Sequence, residues 1–272
     1  MSEASAVDLH VVRMGTGQPP LVLVHGFTGS SLDWFEAMPA LAERREVIAL
    51  DHRGHGNSPN TGDLATYNVD QLALDFARLV DQLGLESFNL LGHSMGGVVV
   101  QLFTLAHPDR VRSLVLMDTM ASPSLRFSME QIDKITARAR ANGMQSLIPR
   151  MIEVSRETAP VPIRDVVLEH MATKLGQMDP EAYGGLAHSL AEFGSLTDRL
   201  GAIRCPTTVL VGEFDQPFRE PSVSIANAIV GSRLVVIDGA GHCPQEDKLD
   251  VWLDEIERHL AWAEQSRGSA GG

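Results

Sequence analysis

A mostly parallel central β-sheet flanked by helices, carrying an all-helical insertion, is the fold class this sequence predicts. Three observations predict it. Short continuous apolar runs recur along the chain, and such runs suit strands buried on both faces. Segments with helical spacing lie between them, and strands alternating with helices imply right-handed crossovers and a parallel sheet. The alternation then breaks between about Met120 and Arg204, where no convincing strand occurs.

The strands are read in order. LVLVHG (Leu21 to Gly26) comes first, followed by EVIALD (Glu46 to Asp51), FNLLGH (Phe88 to His93), VRSLVLMD (Val111 to Asp118), TTVLVGEFD (Thr207 to Asp215) and RLVVID (Arg233 to Asp238). A helix is expected over Val69 to Leu83, with apolar Leu72, Phe76, Leu79, Val80 and Leu83 on one face; others start near Met95 and near Asp247. Residues 120–204 read as several helices punctuated by Gly143, Pro149, Pro160, Pro162, Gly176, Pro180 and the Gly184–Gly185 pair. The expected organisation is therefore an α/β core in two parts, residues 1–119 and 205–266, a helical cap over 120–204, and a disordered tail over 267–272.

A chain of 272 residues allows one large domain, or one domain with an insertion. Hydrophobic residues at 44% and charged residues at 21% fit a globular protein with a sizeable core. The net charge of −13 argues against nucleic acid and anionic membrane surfaces as partners, because both reward a basic face. Two cysteines, Cys205 and Cys243, rule out a disulfide framework as the design. The segment MSEASAVDLHVV lacks the basic and apolar regions of a signal peptide, and no apolar run approaches the roughly 18 residues needed to span a bilayer. A cytoplasmic protein without membrane attachment is the expectation.

The stretch LLGHSMGG, Leu90 to Gly97, places Ser94 between small residues straight after an apolar run. Gly92-His93-Ser94-Met95-Gly96 has the glycine-x-serine-x-glycine spacing of a nucleophile elbow. A strand that turns at once into a helix is crowded, so the residues two before and two after the apex need to lack bulk. Alone, the pattern fits a glycine-rich turn equally well. The strand before it, the helical run MGGVVVQLFTLAHP after it and three further features favour a nucleophile. DGAGHCPQED puts His242 in a loop after the last strand, where it can take the serine proton. VGEFDQPF puts Asp215 beyond the preceding strand, where it can orient the imidazole. HGFTGS follows the first strand, and there the N–H of Phe27 is expected to join that of Met95 as an oxyanion hole.

With HGFTGS, DHRGHGNS, GHSMGG, LVGEFD and GAGH in order, the sequence resembles the α/β-hydrolase superfamily over most of its length, most weakly in the cap. The resemblance implies an α/β-hydrolase fold and a triad in the order Ser94, Asp215, His242. It is a poor guide to substrate, because the fold hosts many reactions. Some relatives take the acid from the strand after the serine strand, where Asp118 stands here; Asp215 is preferred for its glycine-x-x-aspartate loop, and Asp118 otherwise reads as a strand-end cap. Asp238 lies too near His242 along the chain to be favoured. Haloalkane dehalogenases and epoxide hydrolases use an aspartate nucleophile, whereas position 94 is serine. Hydrolases of ring-fission products often carry asparagine before the serine and tryptophan after the histidine, whereas those positions here are His93 and Cys243.

Other residues have blander readings. His52 and His55 lack the rest of a metal-ligand set, so no metal is expected. His25 and His93 read as loop-holding hydrogen-bonders, His188 as an exposed or satisfied histidine, and Cys243 as a small buried apolar group. Trp34 and Phe35 are expected to pack the first helix. Trp34, Met120 and Met144 are candidate substrate-binding residues, since a methionine-rich cap can mould itself to varied apolar groups. The expected chemistry is cofactor-free hydrolysis of a small-molecule carboxylic ester with a small to medium apolar acyl group, through an acyl-enzyme. Lactone opening and carbon–carbon bond hydrolysis are alternatives; the latter needs a cap arginine (Arg126, Arg138, Arg150 or Arg156) in the pocket to pair a carboxylate. Perhydrolysis is a conceivable side reaction, and a ligand receptor on the same fold is the non-enzymatic alternative.

Overall fold

Each of the six apolar runs contains a strand of one sheet in the computed structural model, which describes residues 6–123 and 128–268. The strands are β1 (Val11–Met14), β2 (Leu21–Val24), β3 (Val47–Leu50), β4 (Phe88–His93), β5 (Val111–Met117), β6 (Thr207–Gly212) and β7 (Arg233–Ile237). Their spatial order is β1-β3-β2-β4-β5-β6-β7. All neighbours are parallel except β1, which pairs antiparallel with β3 from Val11↔Leu50 to Met14↔Val47. The α/β reading of the sequence holds. The sequence reading missed β1 because VVRM is a half-exposed edge strand, without the continuous apolar run of its neighbours.

The helices are α1 (Ala37–Leu41), α2 (Val69–Gln82), α3 (Met95–Ala106), α4 (Met129–Asn142), α5 (Ile148–Thr158), α6 (Asp165–Gln177), α7 (Pro180–Glu192), α8 (Gln216–Ala228), α9 (Pro244–Asp247) and α10 (Leu249–Gly268). The continuous apolar runs of β2 to β6 arise because the sheet is cored on both faces there, whereas the edge strand β7 is largely exposed. Val22 and Val24 of β2 join Phe76 of α2, Phe103 of α3 and Ile225 of α8 in one cluster. Leu21 and Leu23 join Leu41 of α1 and Trp252 and Ile256 of α10 in the other. A period-two strand with both faces buried has no polar side to display. α8 escaped the sequence reading because Pro217 opens it and Pro221 lies inside it.

Between β5 and β6 the described residues form helices and no strand. Ser128 and Gln131 make a reciprocal capping box that starts α4. Asp179 caps α7, accepts the Tyr67 hydroxyl at 2.6 Å and also accepts the Gly62 N–H at 3.1 Å. Those bonds, with Ser189 Oγ accepting from Val69 N at 3.0 Å, tie α7 to the segment leading into α2. Lys174 of α6 forms a buried ion pair with Asp33, and Arg164 pairs with Glu36. α10 runs on through Arg267 and Gly268, the first two residues of the tail expected to be disordered. Ala263 is buried, and the Arg233 guanidinium lies 3.8 Å over the Trp262 ring, so packing carries the helix further. Residues 269–272 lie outside the described residues. Among the described residues no helix is long and apolar enough to cross a membrane.

Candidate active site

Ser94 sits where β4 ends and α3 begins, with φ 52° and ψ −117°. A non-glycine residue there carries strain of about 1–3 kcal/mol, tolerated only where the surroundings fix it. They do so here. Ser94 N donates to Met117 O at 2.9 Å, and Ser94 O accepts from Thr119 Oγ1 at 2.6 Å. The flanking glycines are required by space: a Cβ on Gly96 would collide with the Val24 and His25 carbonyls, and one on Gly92 with Val100 and the Gly96 carbonyl. The turn leaves Ser94 half-buried at the carboxyl ends of the strands, the end at which open α/β sheets bind ligands.

His242, in the loop after β7, meets Ser94 and Asp215 together. Its Nε2 lies 3.1 Å from Ser94 Oγ, and its Nδ1 lies 2.7 Å from Asp215 Oδ2. A carboxylate can only accept, so Nδ1 carries the proton and Nε2 is free to accept from the serine. The ring is held between neighbours: Phe218 of α8 stacks on it at 4.7 Å, and His93 lies 4.8 Å away. His93 Nε2 bonds the His242 carbonyl at 2.7 Å, and burial, then His242, push His93 down to about 3. His93 is therefore a neutral donor that fixes the loop. The loops that carry Asp215 and His242 are stitched together as well. Glu213 Oε2 accepts from Gly239 N at 2.8 Å, and Phe214 N donates to Ala240 O at 2.8 Å.

Asp118 lies immediately beside this arrangement, at the end of β5, with φ 45° and no solvent exposure. Its Oδ1 accepts from Gly212 N at 2.9 Å. Burial, then the adjacent Asp215 carboxylate, push Asp118 well above the usual carboxylate range. Among the described residues, Asp118, Asp215 and His242 are the one group of three possible metal-ligand side chains whose ligand atoms all lie within 4.8 Å. Sequence reasoning weighed Asp118 and Asp215 as rivals and missed that they are neighbours. No signal in a single sequence reveals contact between residues on different strands.

The loop after β2 closes on Ser94 from the other side. A Cβ on Gly26 would lie 3.0 Å from Ser94 Cβ, so the backbone at Gly26 passes close beside the serine. Among the described residues, the N–H groups of Phe27 and Met95 take no part in the turn and loop backbone bonds. The Phe27 ring lies 5.0 Å from that of Tyr183 in α7, so the helical segment reaches this loop.

The remaining candidates separate into packing and surface roles. Trp34 is fully buried, stacked on Trp252 at 6.2 Å in the core between the sheet, α1 and α10, which corrects its reading as a candidate substrate-binding residue. Phe35 is exposed. Met120 and Met144 are buried in the opposite cluster, where the helical segment meets the core. His25 accepts from His52 N at 3.0 Å and bonds Gly26 O at 2.8 Å, holding the loop. His188 pairs with Asp133 at the surface. Burial, then Glu246 and Asp33, raise the Cys243 thiol well up, so it stays neutral. Arg138 bonds Ser146 O, Arg150 pairs with Glu153, and Arg156 is exposed. Arg126 lies outside the described residues.

Known proteins share this architecture. The family model described as alpha/beta hydrolase fold matches residues 19–157. A pimeloyl-[acyl-carrier protein] methyl ester esterase of Aeromonas hydrophila is 31% identical over 268 residues, covering 93% of this chain and 100% of that protein. The solved structure of a thermophilic esterase from Thermogutta terrifontis (malate bound) superposes with a TM-score of 0.82 at 31% identity, covering 94% of each chain. A bifunctional epoxide hydrolase 2 of Sus scrofa is 37% identical over 119 residues, 43% of this chain, and the chain spans only 21% of its length.

Proposed function

The chain belongs to the α/β-hydrolase fold family, and from that premise we propose that it is a serine hydrolase of carboxylic esters with Ser94 as nucleophile, His242 as base and Asp215 as its acid partner. The observation that carries the reading is the unbroken chain from Ser94 Oγ through His242 to Asp215 Oδ2, at 3.1 and 2.7 Å. The two esterase relatives of near full-length overlap support the ester class.

In the proposed reaction Ser94 Oγ attacks the ester carbonyl carbon while its proton passes to His242 Nε2. The tetrahedral oxyanion is held by the Phe27 and Met95 N–H groups, each worth about 10²–10³ in rate. Collapse breaks the bond to the alkoxy oxygen, and His242 returns the proton to that leaving group. Water, deprotonated by His242, then adds to the acyl-enzyme and expels Ser94, which regains its proton. Asp215 stays ionised and stabilises the imidazolium. No step calls for a cofactor. We read residues 120–204 as a cap over this site, with Met120 and Met144 at the border where the cap meets the acyl-binding region. The described cap arginines all bond elsewhere or face solvent, which counts against hydrolysis of carbon–carbon bonds.

The test is steady-state turnover on a panel of esters of increasing acyl length, for wild type and Ser94→Ala. The expected result is turnover that falls at least about 10³-fold in Ser94→Ala, with a preference for small to medium acyl groups. Wild-type turnover in Ser94→Ala removes the nucleophile. No turnover on any ester, with a ligand-dependent gain in thermal stability, points instead to a receptor.

A further inference from the structure

We propose that Asp118 is a positioning residue that holds a proton and shares it with Asp215, so that the acid arm of the triad is a carboxylic acid–carboxylate pair rather than a lone carboxylate. The inference rests on the triad proposed above. The geometry confines both groups: Asp118 and Asp215 are almost completely buried, and one carboxyl oxygen of each lies with a ring nitrogen of His242 within 4.8 Å of one another. Two like charges at that separation away from water cannot both ionise cheaply.

The hydrogen-bond pattern decides which group keeps the proton. Asp215 Oδ2 is engaged with His242 Nδ1 at 2.7 Å, an acceptor role that a carboxylate fills best. Asp118 Oδ1 is committed as acceptor to Gly212 N at 2.9 Å. Asp118 Oδ2 is fully buried and meets no donor, an expensive state for a carboxylate oxygen. A proton on Oδ2 turns it into a donor toward Asp215 and satisfies both groups. Burial and the neighbouring Asp215 charge act in the same direction, holding Asp118 well above the usual carboxylate range. The backbone makes this placement permanent: Asp118 takes φ 45°, with its N–H bonded to Leu210 O at 2.8 Å, so the side chain is tied to the end of β6. Asp118 thus supplies Asp215 with a fixed donor and leaves Oδ2 of Asp215 for the histidine.

The titratable groups facing Asp118 are Asp215 after β6, His242 after β7 and Asp247 in α9. As pH rises through the raised Asp118 value, the shared proton leaves, two carboxylates repel, and the Asp215–His242 geometry loosens. Turnover should then fall on the alkaline side.

The experiment compares wild type, Asp118→Ala and Asp118→Asn by ester turnover against pH and by infrared spectroscopy, with melting temperature as a folding control. An asparagine amide can accept from Gly212 N and donate to Asp215, mimicking the protonated acid with nothing to lose at high pH. The expected result is a kcat loss of about 10- to 100-fold in Asp118→Ala with KM little changed, rescue of most of that loss by Asp118→Asn, and no alkaline limb in Asp118→Asn. At neutral pH a protonated-carboxyl infrared band, separate from that of Glu246, should be present in wild type and in Ser94→Ala and appear as a loss in the Asp118→Asn difference spectrum. The proposal is overturned if Asp118→Asn leaves that band unchanged, if Asp118→Asn is as damaging as Asp118→Ala, or if chelators abolish turnover, which would mean that a cation neutralises the pair. Wild-type turnover in Ser94→Ala would instead refute the nucleophile while leaving the infrared result intact.

Discussion

The two aspartates at the ends of β5 and β6 have unequal access to His242. Asp215 Oδ2 bonds Nδ1, whereas the Asp118 oxygens face Gly212 N and the Asp215 carboxyl. Replacing Asp215 with asparagine swaps an acceptor for an amide that favours the wrong imidazole tautomer. The expected loss for Asp215→Asn is about 10³–10⁴-fold in kcat, well beyond that of Asp118→Asn, measured under the same ester assay. A larger loss for Asp118→Asn would reverse the assignment of the acid. At this scale the sequence was informative where local chemistry decides. Ser94, Asp215, His242 and the Phe27 loop are named from motifs placed in order at strand ends, and the structure brings Ser94, His242 and Asp215 into one hydrogen-bonded chain. The Asp118–Asp215 contact and the burial of Trp34 were illegible, because both depend on which strands and helices become neighbours.

At the scale of elements, the helical segment is fastened to the core by charge as well as by packing. Lys174 of α6 pairs with Asp33 in the loop leading to α1 and approaches Glu246 of α9 at 3.8 Å. Burial alone would favour a neutral amine, but the Asp33 and Glu246 carboxylates outweigh it and raise Lys174. Replacing Lys174 with methionine strands the buried Asp33 charge, so unfolding free energy should fall by about 3–5 kcal/mol. Chemical denaturation measures this, and a loss below about 1 kcal/mol would show that the pair is a surface-like contact.

Glu246 adds a pH dependence to the same contact. Burial lifts its carboxyl to about 7 against an ordinary 4.5, with Lys174 opposing and Asp33 adding. The folded state therefore keeps this proton to higher pH than the unfolded state does. The contribution is fully present below 4.5 and is lost as pH rises through about 7. Glu246→Gln should gain on wild type in stability across that window, and a pH-independent difference would contradict it. The sequence announced the helical segment through its missing strands and its glycine and proline punctuation. Its fastening was hidden, since Lys174 reads as one more solvated lysine on a helix.

For the whole molecule, the continuous apolar runs of β2 to β6 were legible because a sheet cored on both faces leaves no polar face to interrupt the pattern. The edge was not: β1 is antiparallel and half-exposed, and its VVRM resembles ordinary surface chain. The same global arrangement brings the ends of β4, β5, β6 and β7 to one rim, where Ser94 and Asp118 directly follow their strands and Asp215 and His242 stand in the loops beyond theirs. The central claim is that this rim activates Ser94 above every other serine of the chain. Peptide-level mass spectrometry after reaction with a fluorophosphonate ester tests it most directly. The account predicts one phosphonyl group per chain, on Ser94; an unlabelled Ser94, or stoichiometric labelling of another serine, would contradict it.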